Sequence, residues 1–220
     1  LCELAPAEND RYPWNDIGNG RLFADIFKGI ARFVPERKQW HIYDGTRWVS
    51  DTGSLKAMEL CKALANALMR YALDIHDEHK RKSYIDFCRK WQSRHMRITI
   101  LSDAQSVYPI SMQEFDSDRF LFNCANGTLD LRTMEFREHS AEDRLTKITP
   151  TEYDPHAYSE RYSRFISEIM SGDMEKAKFL QKALGYSVSG DTRFECMIFL
   201  YGETTRNGKG TLMESILRVM

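Results

Sequence analysis

The chain has 220 residues, of which 42% are hydrophobic and 29% are charged, with only 12 Gly and 6 Pro. This composition excludes a disordered or fibrous chain and is typical of a folded protein with a real core. The 31 Lys and Arg residues nearly balance the 32 Asp and Glu residues, which gives a net charge of −1. The overall charge therefore does not by itself indicate a nucleic-acid or membrane partner.

The sequence carries no signal for a membrane or for export. No stretch approaches the roughly 18 consecutive apolar residues that span a bilayer, and the scattered charges in residues 1–30 are unlike a signal peptide. The five cysteines are far apart and form no C-x-x-C pair, which is typical of reduced thiols. We therefore expect a cytoplasmic protein with no membrane contact. Because the chain starts at Leu1 and stops at Met220 within a predicted helix, we also expect a fragment.

The first predicted elements are a short helix and a β-hairpin. Residues 19–33 place apolar residues at spacings of three and four, from Leu22 through Ile30 to Phe33, the pattern of one buried helical face. Aromatic and β-branched runs then flank Asp44-Gly45, which predicts a hairpin near 38–50 with a two-residue turn.

A long helix is predicted next. Ser54 is a candidate N-cap, and the helix should continue to about Asp74. The expected buried side carries Leu60, Leu64 and Leu68.

A second long helix is predicted over residues 80–96, and it concentrates positive charge. Residues 80–97 contain seven basic residues and one acid, a local charge of +6. Exposed cations on a helix predict contacts with DNA phosphates, which add affinity independent of base sequence. The candidate DNA-binding residues are Lys82, Arg89, Lys90, Arg94 and Arg97.

Two other interpretations of this helix remain open. The basic face is also compatible with a solvated surface that balances acidic residues elsewhere, since the rest of the chain has a net charge of −7. Tyr84, Cys88 and Trp91 share the opposite face. Tyr84 and Trp91 could stack on bases, but at this spacing they are more typical of a core.

The C-terminal half is predicted to begin with a small β element near 120–150, from short alternating runs around Asn126-Gly127 and Arg132-Thr133. Helices should follow near 158–170 and 174–186. Residues 194–202 (FECMIFLYG) then form a continuous apolar run, which predicts a buried strand of a parallel sheet.

A glycine loop with a lysine follows that strand. Residues 202–211 read GETTRNGKGT and precede the helix-like LMESILRV. A strand, a glycine loop and a Lys-bearing helix start are the context of a phosphate-binding loop. Glycines let the backbone wrap an anion, free N–H groups and the helix dipole attract it, and Lys209 can reach terminal phosphates.

The loop departs from G-x-x-x-x-G-K-[ST] in two ways. Five residues separate Gly202 from Gly208, and Gly210 occupies the place of the Mg-binding hydroxyl. Thr211 offers a hydroxyl one position later. An ordinary strand-to-helix turn is the alternative interpretation.

Several segments together resemble the phage and plasmid helicase-primase family. They are NCANGTLDLRT, HSAEDRLTKITPTEYDP and the stretch from FLQKALGY through the glycine loop. Upstream, NDIGNGRLFADIF and QWHIYDGTRWVSD are similar to the start of that family's lead-in domain, which the poxvirus helicase-primases share. The resemblance implies an α+β fold: a mainly helical lead-in domain with small β-hairpins over 1–190. Residues 191–220 would be the first strand, P-loop and helix of a truncated α/β superfamily-3 helicase.

The resemblance also implies cofactors and partners. In that family the glycine loop binds ATP and Mg, and hexameric rings translocate along DNA in the bacterial host cytoplasm. Thr211 would contact Mg through ATP. The predicted nucleotide-binding residues are Gly202, Thr205, Asn207, Gly208, Lys209, Gly210 and Thr211.

The expected function is therefore the N-terminal part of a phage or prophage ATP-dependent replicative helicase-primase that binds single-stranded or forked DNA. Eleven residues follow Lys209, too few for the acidic strand, sensor and arginine finger of a P-loop ATPase. We therefore expect the chain alone to be inactive. The alternative is a non-catalytic DNA-binding or ring-assembly module. A small-molecule kinase is disfavoured, because its loop would lie near the N-terminus.

Overall fold

The computed structural model describes residues 1–202 and 206–220. Within these ranges, no helix is both long and apolar enough to cross a membrane. In chain order, the helices and strands are α1 (Asp16–Phe27), β1 (Ala31–Val34), β2 (Gln39–Tyr43), β3 (Trp48–Asp51), α2 (Leu55–Leu73), α3 (Glu78–Arg89), α4 (Arg94–Ala104), β4 (Leu121–Cys124), β5 (Gly127–Asp130), β6 (Glu135–Arg137), α5 (Glu160–Ile169), α6 (Met174–Val188) and α7 (Lys209–Val219).

The chain divides into two compact units. Unit 1 consists of Leu1–Asp44 and Trp48–Phe115, and unit 2 consists of Gly45–Arg47 and Asp116–Met220. Each unit contains one three-stranded antiparallel sheet, ordered β1-β2-β3 in unit 1 and β4-β5-β6 in unit 2. The mixture of helices with small antiparallel sheets agrees with the predicted α+β class. The predicted division at residue 190 falls within unit 2 and stays a prediction.

Helix α2 is the central element of unit 1. Helices α3 and α4 and strands β2 and β3 pack against it, and α1 packs on α4. Gly20 allows this close approach, because a Cβ there would lie 2.7 Å from the Cβ of Asp103. The buried side of α2 follows helical spacing and consists of Ala57, Cys61, Leu64, Ala65, Leu68 and Ala72. Leu64 and Leu68 are buried as predicted, whereas Leu60 is only half-buried.

The first helix is shorter than predicted. It ends at Phe27, so Ile30 lies outside it and is 41% exposed. Phe33 lies on β1 opposite Trp40 instead of on a helix. The helical spacing continues to Phe33 in the sequence because alternate residues of a strand also point to one side. Phe33 therefore fits the pattern of a buried helical face by coincidence.

The hairpin prediction is confirmed, with a longer turn. Strands β2 and β3 pair with Tyr43 opposite Trp48, so four residues connect them and not two. Gly45 takes a φ of +103°, which glycine adopts without strain.

Asp51 determines where α2 begins. Its two carboxylate oxygens accept hydrogen bonds from the backbone N–H groups of Lys56 (3.0 Å) and Ala57 (2.8 Å). Ser54, the predicted N-cap, has a left-handed φ of +57° and makes no side-chain capping bond. The carboxylate at the end of β3 therefore replaces the hydroxyl as the cap.

The predicted helix over 80–96 is two helices. Ser93 interrupts it and caps α4 by accepting a hydrogen bond from the N–H of Met96 at 3.1 Å. Residues 90–92 form one 3-10 turn after α3. The guanidinium of Arg97 stabilises the break by donating to the carbonyls of Trp91 (3.0 Å) and Gln92 (2.6 Å).

Asn123 is a buried hydrogen-bonding centre in unit 2. Its amide donates to the carbonyls of Thr46 (3.0 Å) and Lys147 (2.9 Å), and its Oδ1 lies 2.9 Å from Nδ1 of His139. The small β element and both following helices agree with prediction.

The predicted strand at 194–202 is wrong. These residues form no strand, and residues 194–201 are exposed. Neither sheet extends to them, and a strand without a neighbour has no partner for its N–H and C=O groups. The predicted parallel sheet is accordingly not seen among the described residues.

Replacing Asp51 by Ala is expected to lower the free energy of unfolding by about 1–2 kcal/mol, because the first turn of α2 loses its cap. Urea unfolding followed by circular dichroism measures this change. Ser54→Ala is the matched control and should change stability by less than about 0.5 kcal/mol. Equal losses in the two variants would contradict the assignment of the cap to Asp51.

Candidate functional site

The glycine loop leads directly into α7. Gly208 has a left-handed φ of +81°, and Lys209 is the first residue of the helix. The N–H groups at the start of a helix have no acceptor within it, so this end is suited to an anion. The helix start agrees with the sequence prediction. Thr205 lies outside the described residues.

Three predicted residues come together at this helix start. The Nζ of Lys209 donates to Oδ1 of Asn207 at 2.6 Å. A Cβ added to Gly202 would lie 1.9 Å from Nδ2 of Asn207 and 3.4 Å from Nζ of Lys209. The absence of a side chain at Gly202 therefore lets the amide of Asn207 and the ammonium of Lys209 lie close to the backbone.

The electrostatics of this site favour an anion. Among the described residues Lys209 forms no ion pair, and its partner Asn207 is a neutral amide. Its positive charge is therefore not compensated by a described carboxylate.

Gly210 and Thr211 lie in the exposed first turn of α7. Nothing lies within 4 Å of a Cβ added to Gly210. Its place therefore has room but no hydroxyl, whereas Thr211 carries a hydroxyl that is accessible to solvent.

Helix α7 is held at both ends within unit 2. A Cβ on Gly208 would lie 2.6 Å from Cγ2 of Ile169 and 3.1 Å from Cε2 of Phe165, so the loop rests on the apolar side of α5. At the other end, the hydroxyl of Thr149 donates to the carbonyl of Val219. Leu212 is buried between these points.

The apolar face of α3 belongs to the core. Tyr84, Cys88 and Trp91 are at most 1% exposed, so Tyr84 and Trp91 are not accessible for stacking on bases. The core interpretation of these residues is therefore confirmed.

The basic residues of this region fall into two groups. Arg89 pairs with Asp86 at 2.9 Å and Lys80 pairs with Glu8 at 2.9 Å. Arg81 and Arg97 donate to backbone carbonyls. In contrast, Lys82, Lys90 and Arg94 are exposed and form no ion pair with any residue in the described part of the chain. We call these last three residues the basic surface.

A groove in unit 1 was not predicted from sequence. It has a volume of about 910 Å³ and lies among the residues that flank the starts of α2 and α4 and the end of β2. We call it the α2 groove. Its apolar lining includes Ile30, Ile42, Leu55, Met58 and Leu60. Its basic lining is Lys56, Lys62, Arg94 and Arg97.

One signal for this groove was present in the sequence. Leu55 begins α2 away from the buried side and is 70% exposed. An apolar residue directly after the predicted cap Ser54, outside the helical spacing of Leu60, Leu64 and Leu68, is that signal.

The described ranges contain no group of three or more His, Cys, Asp or Glu residues placed to hold a metal ion. Burial raises the pKa of the thiols of Cys61 and Cys88 to about 12. These thiols are therefore neutral core groups at physiological pH.

Gly208→Ala is expected to destabilise the start of α7 by about 1–2 kcal/mol, because an L-residue is strained at this φ. The new Cβ would also collide with Ile169. Faster hydrogen exchange of the amides of residues 209–213 would report the loss. Gly210→Ala is the control and should slow exchange slightly, since Ala favours a helix by up to about 1 kcal/mol. Unchanged exchange in Gly208→Ala would contradict the geometry of the loop.

Comparison with known proteins identifies the family. A family model described as D5 N terminal like matches residues 20–171, from within α1 to just beyond α5. No individual curated protein matches the chain. The match covers more than half of the chain and ends before the glycine loop. The chain therefore belongs to the D5 N-terminal-like family, which forms the N-terminal region of D5-like helicase-primase proteins.

Proposed function

We propose that the chain is the N-terminal part of a phage or prophage ATP-dependent replicative DNA helicase-primase. In this proposal the glycine loop binds ATP with Mg²⁺, the basic surface contacts DNA, and the full-length parent assembles as a hexameric ring in the host cytoplasm. Family membership supports the general role in replication. The finer assignments depend on the residues of the two sites.

The observation that carries the ATP proposal is the position of Lys209. It starts a helix immediately after a left-handed glycine, and its ammonium lies beside Gly202 and Asn207. The oxygens of a triphosphate would accept hydrogen bonds from the N–H groups of this helix start and from the ammonium of Lys209.

The residues present also fit a magnesium ion carried by ATP. Thr211 is exposed in the first turn of α7, and its hydroxyl would be the group that contacts this ion. Bound Mg²⁺ would neutralise part of the phosphate charge.

The second candidate function is a non-catalytic module that binds DNA or assembles the ring. It is favoured by residues 194–202, which form no strand before the glycine loop. Both functions share the expectation that this chain alone does not hydrolyse ATP. They differ in whether it binds ATP.

Replacing Lys209 by Ala is expected to weaken binding of ATP and Mg²⁺ at least tenfold. A hydrogen bond to a charged group is worth about 1.5–3 kcal/mol, and Ala preserves the helix. Isothermal titration calorimetry measures the affinity directly.

Lys182→Ala is the matched control, since Lys182 is an exposed lysine on α6 outside the glycine loop. It should leave ATP affinity unchanged. If the unmodified chain binds no ATP, the ATP proposal fails and the non-catalytic module is favoured. ATP turnover that Lys209→Ala abolishes would contradict the expected inactivity of this chain.

Reversing the charges of the basic surface is expected to weaken binding of single-stranded DNA. The triple variant Lys82→Glu, Lys90→Glu, Arg94→Glu should lower the salt slope by about 2, since each phosphate contact to a single strand contributes roughly 0.7. Fluorescence anisotropy across a salt series measures both affinity and slope.

A control triple variant on unit 2, Arg161→Glu, Lys178→Glu, Lys182→Glu, changes the net charge equally. If both triples weaken binding to the same extent, only net charge matters, and the assignment of DNA contacts to the basic surface is wrong.

A further inference from the structure

We propose that the α2 groove binds the unpaired bases of a single-stranded nucleic acid, with the flanking phosphates on Lys56 and Arg94. This inference rests on the proposed DNA contact and specifies which form of nucleic acid the surface takes. It also adds residues outside segment 80–97 to the contact.

Two cations at the groove are available for phosphates. Lys56 and Arg94 are exposed and form no ion pair with residues of the described ranges. The other two cations are engaged, since Lys62 pairs with Glu59 at 2.6 Å and Arg97 donates to backbone carbonyls. With Glu59 compensated by Lys62, Asp44 is the remaining acid in the groove lining. The groove therefore keeps a positive charge.

The attraction for anions comes from side chains and not from the dipole of α2. Asp51 already accepts hydrogen bonds from the first-turn N–H groups of Lys56 and Ala57. A carboxylate at this position neutralises the partial positive charge of the helix N-terminus. A phosphate would consequently bind Lys56 and Arg94 and leave the capped amides in place.

The apolar lining is what favours unpaired bases over a duplex. Leu55 is 70% exposed and Ile30 is 41% exposed, so apolar surface contacts water beside the cations. A duplex stacks its base faces inside and presents only edges and phosphates. Unpaired bases can lay their faces on these aliphatic side chains, which removes apolar surface from water, while the backbone follows positive charge.

The size of the groove is also compatible with bases. Its volume of about 910 Å³ falls within the range of roughly 300–1,000 Å³ typical of small-ligand sites. Arg94 belongs both to the groove and to the basic surface. One single strand of nucleic acid can therefore contact both the α2 groove and the basic surface, because Arg94 belongs to both.

The test separates the apolar contact from the charge. The probe is a fluorescein-labelled oligothymidylate of about 16 nucleotides, compared with a duplex of equal length. Leu55→Ser should weaken single-strand binding about fivefold. It should leave the salt slope and the duplex affinity unchanged, because no phosphate contact is lost. Leu73→Ser is the control, since Leu73 is 66% exposed at the other end of α2 and lies outside the groove.

Each outcome supports or overturns a distinct claim. If Leu55→Ser binds the oligonucleotide like the unmodified chain while the basic-surface triple variant binds more weakly, the groove inference fails and the proposed DNA contact stands. That same result is expected if the groove takes a protein segment. If the unmodified chain does not bind the oligonucleotide, the proposed DNA contact itself fails.

A second measurement does not depend on a variant. Hydrogen exchange of the unmodified chain with the oligothymidylate should slow at residues 53–60, beside the groove. Protection confined to residues 82–94, with none at 53–60, would overturn the inference.

Discussion

Unit 1 depends on the capped start of α2. Asp51 is the last residue of β3, is 4% exposed, and binds two N–H groups of the first turn of α2. One carboxylate thereby sets the junction between the sheet and the helix on which α3 and α4 pack. Because the helix cannot rotate without breaking these bonds, the same junction determines that Leu55 faces water while Ala57 enters the core.

Much of the fold could be predicted wherever periodicity and turn chemistry agreed. The hairpin around Gly45, helix α2, the small β element and helices α5 and α6 all carried clear local patterns. The wrong cap of α2 and the missed break between α3 and α4 share a cause, which is that the deciding interaction joins residues that a local window treats separately. Asp51 caps a helix five residues ahead, and Arg97 binds the carbonyls that end the preceding segment.

The apolar run at 194–202 failed for a different reason. Composition predicts that a segment can pair and be buried, but a strand forms only where a neighbouring strand supplies the other half of the ladder. No such neighbour exists among the described residues. Hydrophobicity alone therefore could not decide between a buried strand and exposed backbone.

The glycine loop was predicted in position, but its internal contacts were not. The sequence motif predicts that Lys209 lies at a helix start, and Lys209 is the first residue of α7. The hydrogen bond to Asn207, the close passage of Gly202 and the support from α5 required coordinates. For the basic segment, spacing correctly separated core from surface, but it did not show that Arg89 pairs with Asp86 and that Arg97 donates to backbone carbonyls. Of the five candidate DNA-binding residues, Lys82, Lys90 and Arg94 have no such partner among the described residues. The charge available to a partner is thus smaller than the sequence count.

The exposed run before the glycine loop has a consequence for handling the protein. Phe194, Phe199 and Tyr201 are each more than 60% exposed, and few backbone groups between them are hydrogen-bonded. An accessible backbone outside helices and strands, with large apolar side chains, is a preferred site of cleavage by a digestive protease. Limited proteolysis would therefore cut here first, while the contacts of α7 with Ile169 and Thr149 would keep the piece bearing Lys209 bound to the rest of unit 2. The same exposed apolar side chains also favour self-association at high protein concentration.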